Sequence, residues 1–588
     1  MKTNKAILCA AVALAFLPAR AQKPEGDLNR EMEVTREYEP SVDAASKLGV
    51  KPNMVDTVAL RPEVDFSVTP RPVTQGFGVT PIKPVQVNLD DYRTFGPLYV
   101  KAGVGAPLQS VLDAYFSSTQ KRDGKWGVYV NHYGSWSDIK NVNGIKTPAS
   151  QTFNSVEAYG EHRFGRFGIS GEIGYDYDKI SRYGYDTTFL VEDPDYDPEL
   201  WPLDRSASGL RQNFSTVRGR LVLGHAFEDL SYFNIRFGAE GAYFQDRFDM
   251  KEADVKTFLD LGKRFGQRHG VTLHAGYDVY KGSGELDGYK DNILTVRPMY
   301  RLQGGKLEFA LGANYVLDND GDRSESAFFP LFELKWRASD GFTPYLKIDG
   351  EYLNYGYRNT VTWNPYVLQG VTGRNTSEYN GRIGIRGGVS SSFAYHVFGG
   401  VSRYLNMNYG LNAYLMLLGD GANVYQALYQ GNVFGVSQRD VTMWTIGAEL
   451  EGRISGAFGL LFNLQYRGYD VKKIEDQSAH IGLPNLTAGL ALKYNYRDKL
   501  LLKAGVDVYG PRDFDILFMY TDGASASAGL GRTHVDMQFD VYFGAEYNIS
   551  KRIGVFLEGR NLANQRIYRY NQYRDLGINM LAGVKLQF

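Results

Sequence analysis

The chain has 588 residues, with 65 Lys and Arg against 66 Asp and Glu, 14% aromatic residues, 66 glycines and a single cysteine. A formal charge of -1 excludes the clustered basic surface that nucleic-acid binding requires, and one cysteine excludes a disulfide framework or a cysteine-rich metal site. No segment after the first residues approaches the roughly 18 consecutive apolar residues of a membrane-spanning helix.

Lys2 and Lys5 precede an apolar run from Ala6 to Leu17 and the small-residue site Ala19-Arg20-Ala21. This order predicts a secretory signal peptide over residues 1–21, because the run falls short of the roughly 20 residues that span a bilayer. Cys9 lies within it, so the processed chain is expected to carry no thiol. Residues 22–96 are spotted with proline (Pro24, Pro40, Pro52, Pro62, Pro70, Pro72, Pro81 and Pro84) and sustain neither helix nor strand periodicity. They are predicted to form an extended periplasmic segment.

From residue 97 to 588 the texture changes to segments that alternate apolar and polar residues. In Thr533 to Asn548, the odd positions Val535, Met537, Phe539, Val541, Phe543, Ala545 and Tyr547 oppose His534, Asp536, Gln538, Asp540 and Glu546. Ser231 to Phe244 and Thr343 to Leu353 read the same way, the latter setting Leu346, Ile348 and Tyr352 against Lys347, Asp349 and Glu351. Period-2 alternation is the mark of strands with one apolar face. A soluble sheet would show it too, but aromatics recur at segment ends (Tyr175, Tyr177, Tyr280, Trp336, Tyr494, Tyr547), as in the interfacial girdles of membrane barrels.

Short polar connections, such as Arg163 to Arg166, Phe265 to Arg268 and Arg497 to Lys499, alternate with long ones at Ser135 to Phe153, Asp178 to Leu210, Asn354 to Glu378, Tyr404 to Arg439 and Gly510 to Arg532. That rhythm fits periplasmic turns and external loops. It predicts an all-β fold, a large antiparallel transmembrane barrel of about 22 strands within a range of roughly 18 to 24.

The lumen face is predicted to carry both charge signs, among them Lys101, Glu172, Asp176, Arg218, Arg220, Arg236, Glu240, Lys256, Asp260, Glu333, Lys335, Lys347, Asp349, Glu351, Glu546, Glu558 and Lys585. A pore selective for one ion sign would favour one charge, so the mixture predicts salt bridges across the wall or a polar filler. The Tyr404 to Arg439 stretch is apolar for an external loop (Leu415, Met416, Leu417, Leu418, Tyr425, Tyr429, Phe434) and is a candidate ligand or partner surface.

Signs of catalytic chemistry are weak. The eight histidines are scattered without metal-ligand spacing, and no Gly-x-Ser-x-Gly elbow is present. No nucleophile can be paired with a base, so the chain is predicted to be neither an enzyme nor a holder of a cofactor or metal. His274 and His534 are expected to face the lumen as polar lining. Two acidic stretches have the carboxylate density of calcium loops: Asp318 to Asp322, which reads as a hairpin tip, and Glu192 to Glu199, which reads as a solvated loop.

The run Glu558-Gly559-Arg560-Asn561-Leu562-Ala563-Asn564, followed by Tyr568, Tyr570 and the strand Gly577 to Phe588, resembles the final hairpin of TonB-dependent outer-membrane receptors. The resemblance covers roughly residues 97–588, and no plug-like motif is visible in residues 22–96, so the chain looks like the plugless receptor-like barrels of Bacteroidota. It implies an outer-membrane location, contact with its lipids, and recognition by the barrel-assembly machinery through Ala582, Val584, Leu586 and Phe588. It also implies nutrient uptake or passage, with Glu31-Met32-Glu33-Val34-Thr35 similar to the segment that pairs with a TonB-like energising protein. The alternative expectation is a non-transporting scaffold that docks surface lipoproteins.

Overall fold

The computed structural model describes residues 97–588 except 119–123, 186–205, 228–229, 322, 340, 391, 419–424, 474–477 and 522–525, with 415–418, 425–428, 520–521 and 526–527 described as backbone only. The predicted signal sequence, the 22–96 segment, Glu31 to Thr35 and the acidic stretch Glu192 to Glu199 lie outside the described residues.

The main sheet holds 24 strands, and all but the hairpin Arg512–Thr521 and Ala526–Val535 run up and down around a closed barrel of 22. The first strand, Leu98–Ala106, pairs with the last, Asn579–Gln587, from Tyr99 opposite Gln587 to Ala106 opposite Met580, so the barrel closes on itself. Closure removes the open edge of the barrel, the condition for crossing a bilayer with strands.

Alternation sets the two faces. Val156, Tyr175, Val217 and Tyr243 are cross-strand neighbours over four strands and stand 44–47% exposed, part of an apolar belt around the outside. Three residues along each strand, on the opposite face, the neighbours are charged. Glu172, Arg220, Glu240, Lys256 and Asp278 oppose one another in turn, alternating in sign across five strands of the lumen wall. An apolar belt outside and paired charges inside identify an outer-membrane barrel.

Two boundaries differ from the sequence reading. Most of Tyr404 to Arg439 is strand rather than loop: Phe393–Leu418 and Tyr425–Arg453 pair far beyond the wall. A register shift between Tyr404 and Met407, where Asn406 adopts φ 57°, re-phases the strand, so its outer half resembles a separate segment. Thr533 to Asn548 is likewise two strands. Val535 ends the outer hairpin and is buried, and the barrel strand begins at Gln538. The two-residue corner at Asp536 and Met537 preserves parity, so alternation runs through it undisturbed.

A third difference shapes the interior. Ser324–Trp336 and Thr343–Leu353 are neighbouring strands whose pairing stops at Phe332 opposite Ile348. Beyond that point the second strand leans inward. Tyr352, expected on the lipid face, donates to the Asp318 carboxylate and packs with Phe329, which is fully buried. Gly350 permits the approach, since a Cβ there would lie 2.4 Å from the Phe329 ring. The lean carries the following loop into the barrel mouth.

Candidate functional site

Residues 354–375 cross the mouth and carry the helix Tyr357–Trp363. Its start is fixed by the wall rather than by its own cap: the Tyr357 backbone N–H donates to Glu252 Oε2 at 2.6 Å, and Gly356 allows this because a Cβ would meet that carboxylate at 2.9 Å. An acid at a helix N-terminus satisfies an orphan donor and opposes the positive end of the peptide dipoles. Arg358 pairs with Asp254 at 2.8 Å, where the aspartate side chain is 0% exposed, and the Tyr357 hydroxyl donates to Asp246 at 2.8 Å. At the loop's base, Asn375 donates to both Asp291 (2.7 Å) and Asp318 (2.8 Å), and Asn354 donates to Asp291 at 2.6 Å.

The far end of the loop reaches the opposite wall. The Phe434 N–H donates to Tyr366 O at 2.9 Å, and Leu368 N–H to Phe434 O at 2.8 Å, a short parallel bridge to the long strand Tyr425–Arg453. The last loop, residues 561–578, packs on top. Tyr573 stacks on Tyr366 with centroids 3.6 Å apart, its hydroxyl donates to Asn432 O at 2.6 Å, and Tyr183 donates to Arg574 O at 2.8 Å. Together with Ile180, Phe214, Phe244 and Val361 these residues form one buried apolar cluster. Each aromatic pair adds about 0.5–1.5 kcal/mol beyond area burial, so the cap has a core of its own.

Beneath the cap lies a cavity of about 330 Å³, at the lower end of the range for small-molecule sites. Tyr133, Tyr366 and Tyr570 line it, with four arginines and four aspartates. The cations are answered locally: Arg218 by Glu157 (2.8 Å) and Asp176 (3.0 Å), Arg560 by Asp540 (3.5 Å), Arg569 by Asp575 (3.6 Å), and Arg358 by Asp254. Burial pushes the Asp575 carboxyl up despite Arg569; the 38% of its side chain that stays exposed faces the cavity. The walls offer many donors and acceptors and flat aromatic faces, with no net charge among those eight residues.

Several expected lumen charges meet as ion pairs lower in the barrel: Lys101 with Glu558 (2.7 Å), Arg236 with Asp260 (2.7 Å), Lys335 with Glu333 (2.7 Å), and Lys585 with Glu546 and Lys347 with Asp349 in closer contact. His274 joins Asp260 at 2.7 Å as polar lining. His534 instead sits on the outer hairpin against Asp513. Asp318 to Gly321 form a hairpin tip in which Asp320 accepts from the Arg323 N–H, and Asp318 turns into the loop-base network. Among the described residues no group of three His, Cys, Asp or Glu is placed to hold a metal.

Of the candidate partner surface, Phe434 is buried in the cap, and Tyr429 accepts a hydrogen bond from Gln369 of the crossing loop at 2.8 Å. Leu415, Met416, Leu417, Leu418 and Tyr425 lie in the paired outer ends of the two long strands, and their side chains are outside the described residues. Ala582, Val584 and Phe588 fall on the exposed face of the closing strand, with Leu586 in the same row. Sequence reasoning missed Glu252, Asp254, Tyr357, Tyr366 and Tyr573. The one available signal was the density of tyrosine in two long connections, Tyr355 to Tyr366 and Tyr568 to Tyr573.

No family model matches the sequence, and no curated protein matches it either. Solved structures do match in fold. The siderophore receptor PirA of Acinetobacter baumannii aligns with a TM-score of 0.61 at 10% identity, over 84% of this chain and 80% of that one. The FrpB iron transporter of Neisseria meningitidis gives 0.63 at 11%, over 85% and 82%. The ferric-catecholate import receptor Fiu of E. coli gives 0.57 at 10%, over 84% and 82%. At such identities the likeness shows the fold, a 22-strand receptor-type barrel.

Proposed function

We propose that the protein is a gated receptor that admits a small nutrient through the outer membrane, with the inward-folded loops as its external gate. The observation that carries this reading is the cap itself. Two loops cross the mouth of a receptor-sized barrel and enclose a cavity lined by aromatic rings and neutralised charges. A scaffold has no need of such a chamber, and the apolar stretch that motivated the docking alternative contributes Phe434 to the cap core. The names of the similar structures make an iron complex the first ligand to test.

The reading includes energy coupling through Glu31 to Thr35, export under the signal sequence 1–21, assembly directed by Ala582, Val584, Leu586 and Phe588, and a plugless barrel of Bacteroidota type. Its test is uptake of ferric chelates by cells expressing the full chain, a chain lacking residues 31–35, and a chain with residues 356–373 shortened to a glycine linker. The proposal expects saturable uptake in the first, loss in the second, and unselective leak in the third. A sealed barrel that takes up no chelate and is indifferent to both changes would end it.

A further inference from the structure

A second constellation lies on the opposite face of the wall. Gln109, Tyr133 and Phe153 point inward: Tyr133 and Phe153 line the cavity, and the Tyr133 hydroxyl donates to Gln109 at 3.4 Å. Because successive side chains of a strand point to opposite faces, Ser110, His132 and Asn154 point outward, in phase with the exposed Val104 and Val156. They sit on three adjacent strands, Gln109–Ser117, Gly124–Ser135 and Gln151–Phe164, near their outer ends. Gln109–Ser117 has 9 residues, the least that spans a bilayer, so this site lies at the outer rim of the apolar belt. Trp136, exposed and laid over Gly134, marks the same level.

The three side chains form a directed chain. Ser110 Oγ lies 2.7 Å from His132 Nε2, and His132 Nδ1 lies 2.7 Å from Asn154 Oδ1. Asn154 Nδ2 donates to Tyr177 O at 3.0 Å, which fixes the amide with its oxygen toward the ring. His132 must therefore carry its proton on Nδ1, leaving the Nε2 lone pair to accept from Ser110. That is the tautomer in which a histidine serves as base to a serine, with the third group holding the ring. The set is invisible in the sequence because 22 residues separate each member from the next. A purely structural reading, a hydrogen-bonded polar knot at the membrane interface, predicts the same distances but no reactivity.

The geometry points to a second activity: hydrolysis of carboxylic esters of acylated lipids at the outer rim by Ser110, His132 and Asn154. The Ser110 oxygen attacks the ester carbonyl carbon while its proton moves to His132 Nε2. A C–O bond to the serine forms, the ester C–O bond breaks, and the departing alkoxide takes that proton to leave as an alcohol. Water then attacks the acyl-serine, giving its proton to His132, which returns it to Ser110 as the fatty acid departs. Ser110 is the nucleophile and His132 the general base. Asn154 positions the ring without touching substrate.

The test uses the full chain folded in vesicles of ester phospholipid, treated with a fluorophosphonate probe and mapped by mass spectrometry, with fatty-acid release measured in parallel. The proposal expects phosphonylation at Ser110, its loss in Ser110→Ala, and a drop of about a hundredfold or more in labelling rate and fatty-acid release in His132→Ala, the low side of the about 10²–10⁴-fold contribution of a general base. In Asn154→Leu the pH profile of labelling should also move, which a merely structural role would not produce. Heat-modifiable gel mobility confirms that each variant is folded. Labelling of folded wild type no faster than that of the lumen serine Ser155, or equal fatty-acid release by wild type and Ser110→Ala, overturns the proposal.

Discussion

The wall and the cap of this barrel are built by different rules. At the closing seam the wall is nearly bare of side-chain bulk on its inner face: Gly103 lies opposite Gly583, the Phe556 ring covers both, and Lys101 and Lys585 reach to Glu558 and Glu546 on either side. Backbone ladders hold it, and small residues let them close. The cap has short ladders and many side chains, with tyrosine rings, buried carboxylates and asparagine amides drawn from segments as far apart as Tyr183 and Arg574, 391 residues away. The wall is therefore intolerant of added volume, whereas the cap is sensitive to lost contacts and can open without unfolding the barrel.

The largest effect should come from adding bulk at the seam. In Gly583→Val the new Cβ would fall 2.0 Å from Ala102 O and 2.5 Å from the Gly103 Cα. Backbone cannot yield there, so a loss beyond about 4 kcal/mol is expected, seen as failure to form a heat-modifiable band; a normal barrel would show that the seam is not constrained as described. Next is Tyr573→Ala, which empties the centre of the cap at a local cost of about 3–5 kcal/mol. Hydrogen exchange should accelerate in residues 354–375 and 561–578 while the barrel's melting point barely moves. If both fall together, wall and cap are one cooperative unit.

Glu252→Ala leaves the first N–H of the helix without its carboxylate and should cost about 1–3 kcal/mol, read as lost protection confined to Tyr357–Trp363. A pH effect follows from Asp575. Burial raises its pKa in the closed cap, so the closed state holds the proton more tightly than the open one. Its contribution to closure is complete below the ordinary aspartate range and is lost as pH rises through the raised value. Cap protection should fall over that window in wild type and stay flat in Asp575→Asn. The smallest effect belongs to Lys146→Ala, whose pair with Asp138 is 73% and 44% exposed and should be worth under about 1 kcal/mol.

The wall was legible in the sequence because strand geometry maps directly onto parity: Phe233, Ile235, Phe237 and Tyr243, on the apolar face of Ser231 to Phe244, are exposed, and Glu172, Arg220 and Glu240 meet as alternation requires. Legibility failed where parity carries no information. The corner at Asp536 and Met537 preserves it, the bulge at Asn406 resets it, and the inward lean after Ile348 depends on a neighbour that stops pairing. The cap was hidden for a further reason. Glu252 looks like any lumen acid until the helix it caps, 105 residues later, is placed above it.

The central claim, that the chain's own loops close the mouth, is tested most directly by a thiol placed below the cap. Glu161 faces the lumen opposite Lys125 at 3.5 Å, and because the sole native cysteine is at position 9, Glu161→Cys combined with Cys9→Ala should give the folded barrel a single reporter. A membrane-impermeant maleimide applied to intact cells should leave it unmodified, and should label it once residues 356–373 are shortened. Equal labelling with the loop intact and with the loop shortened would contradict the account.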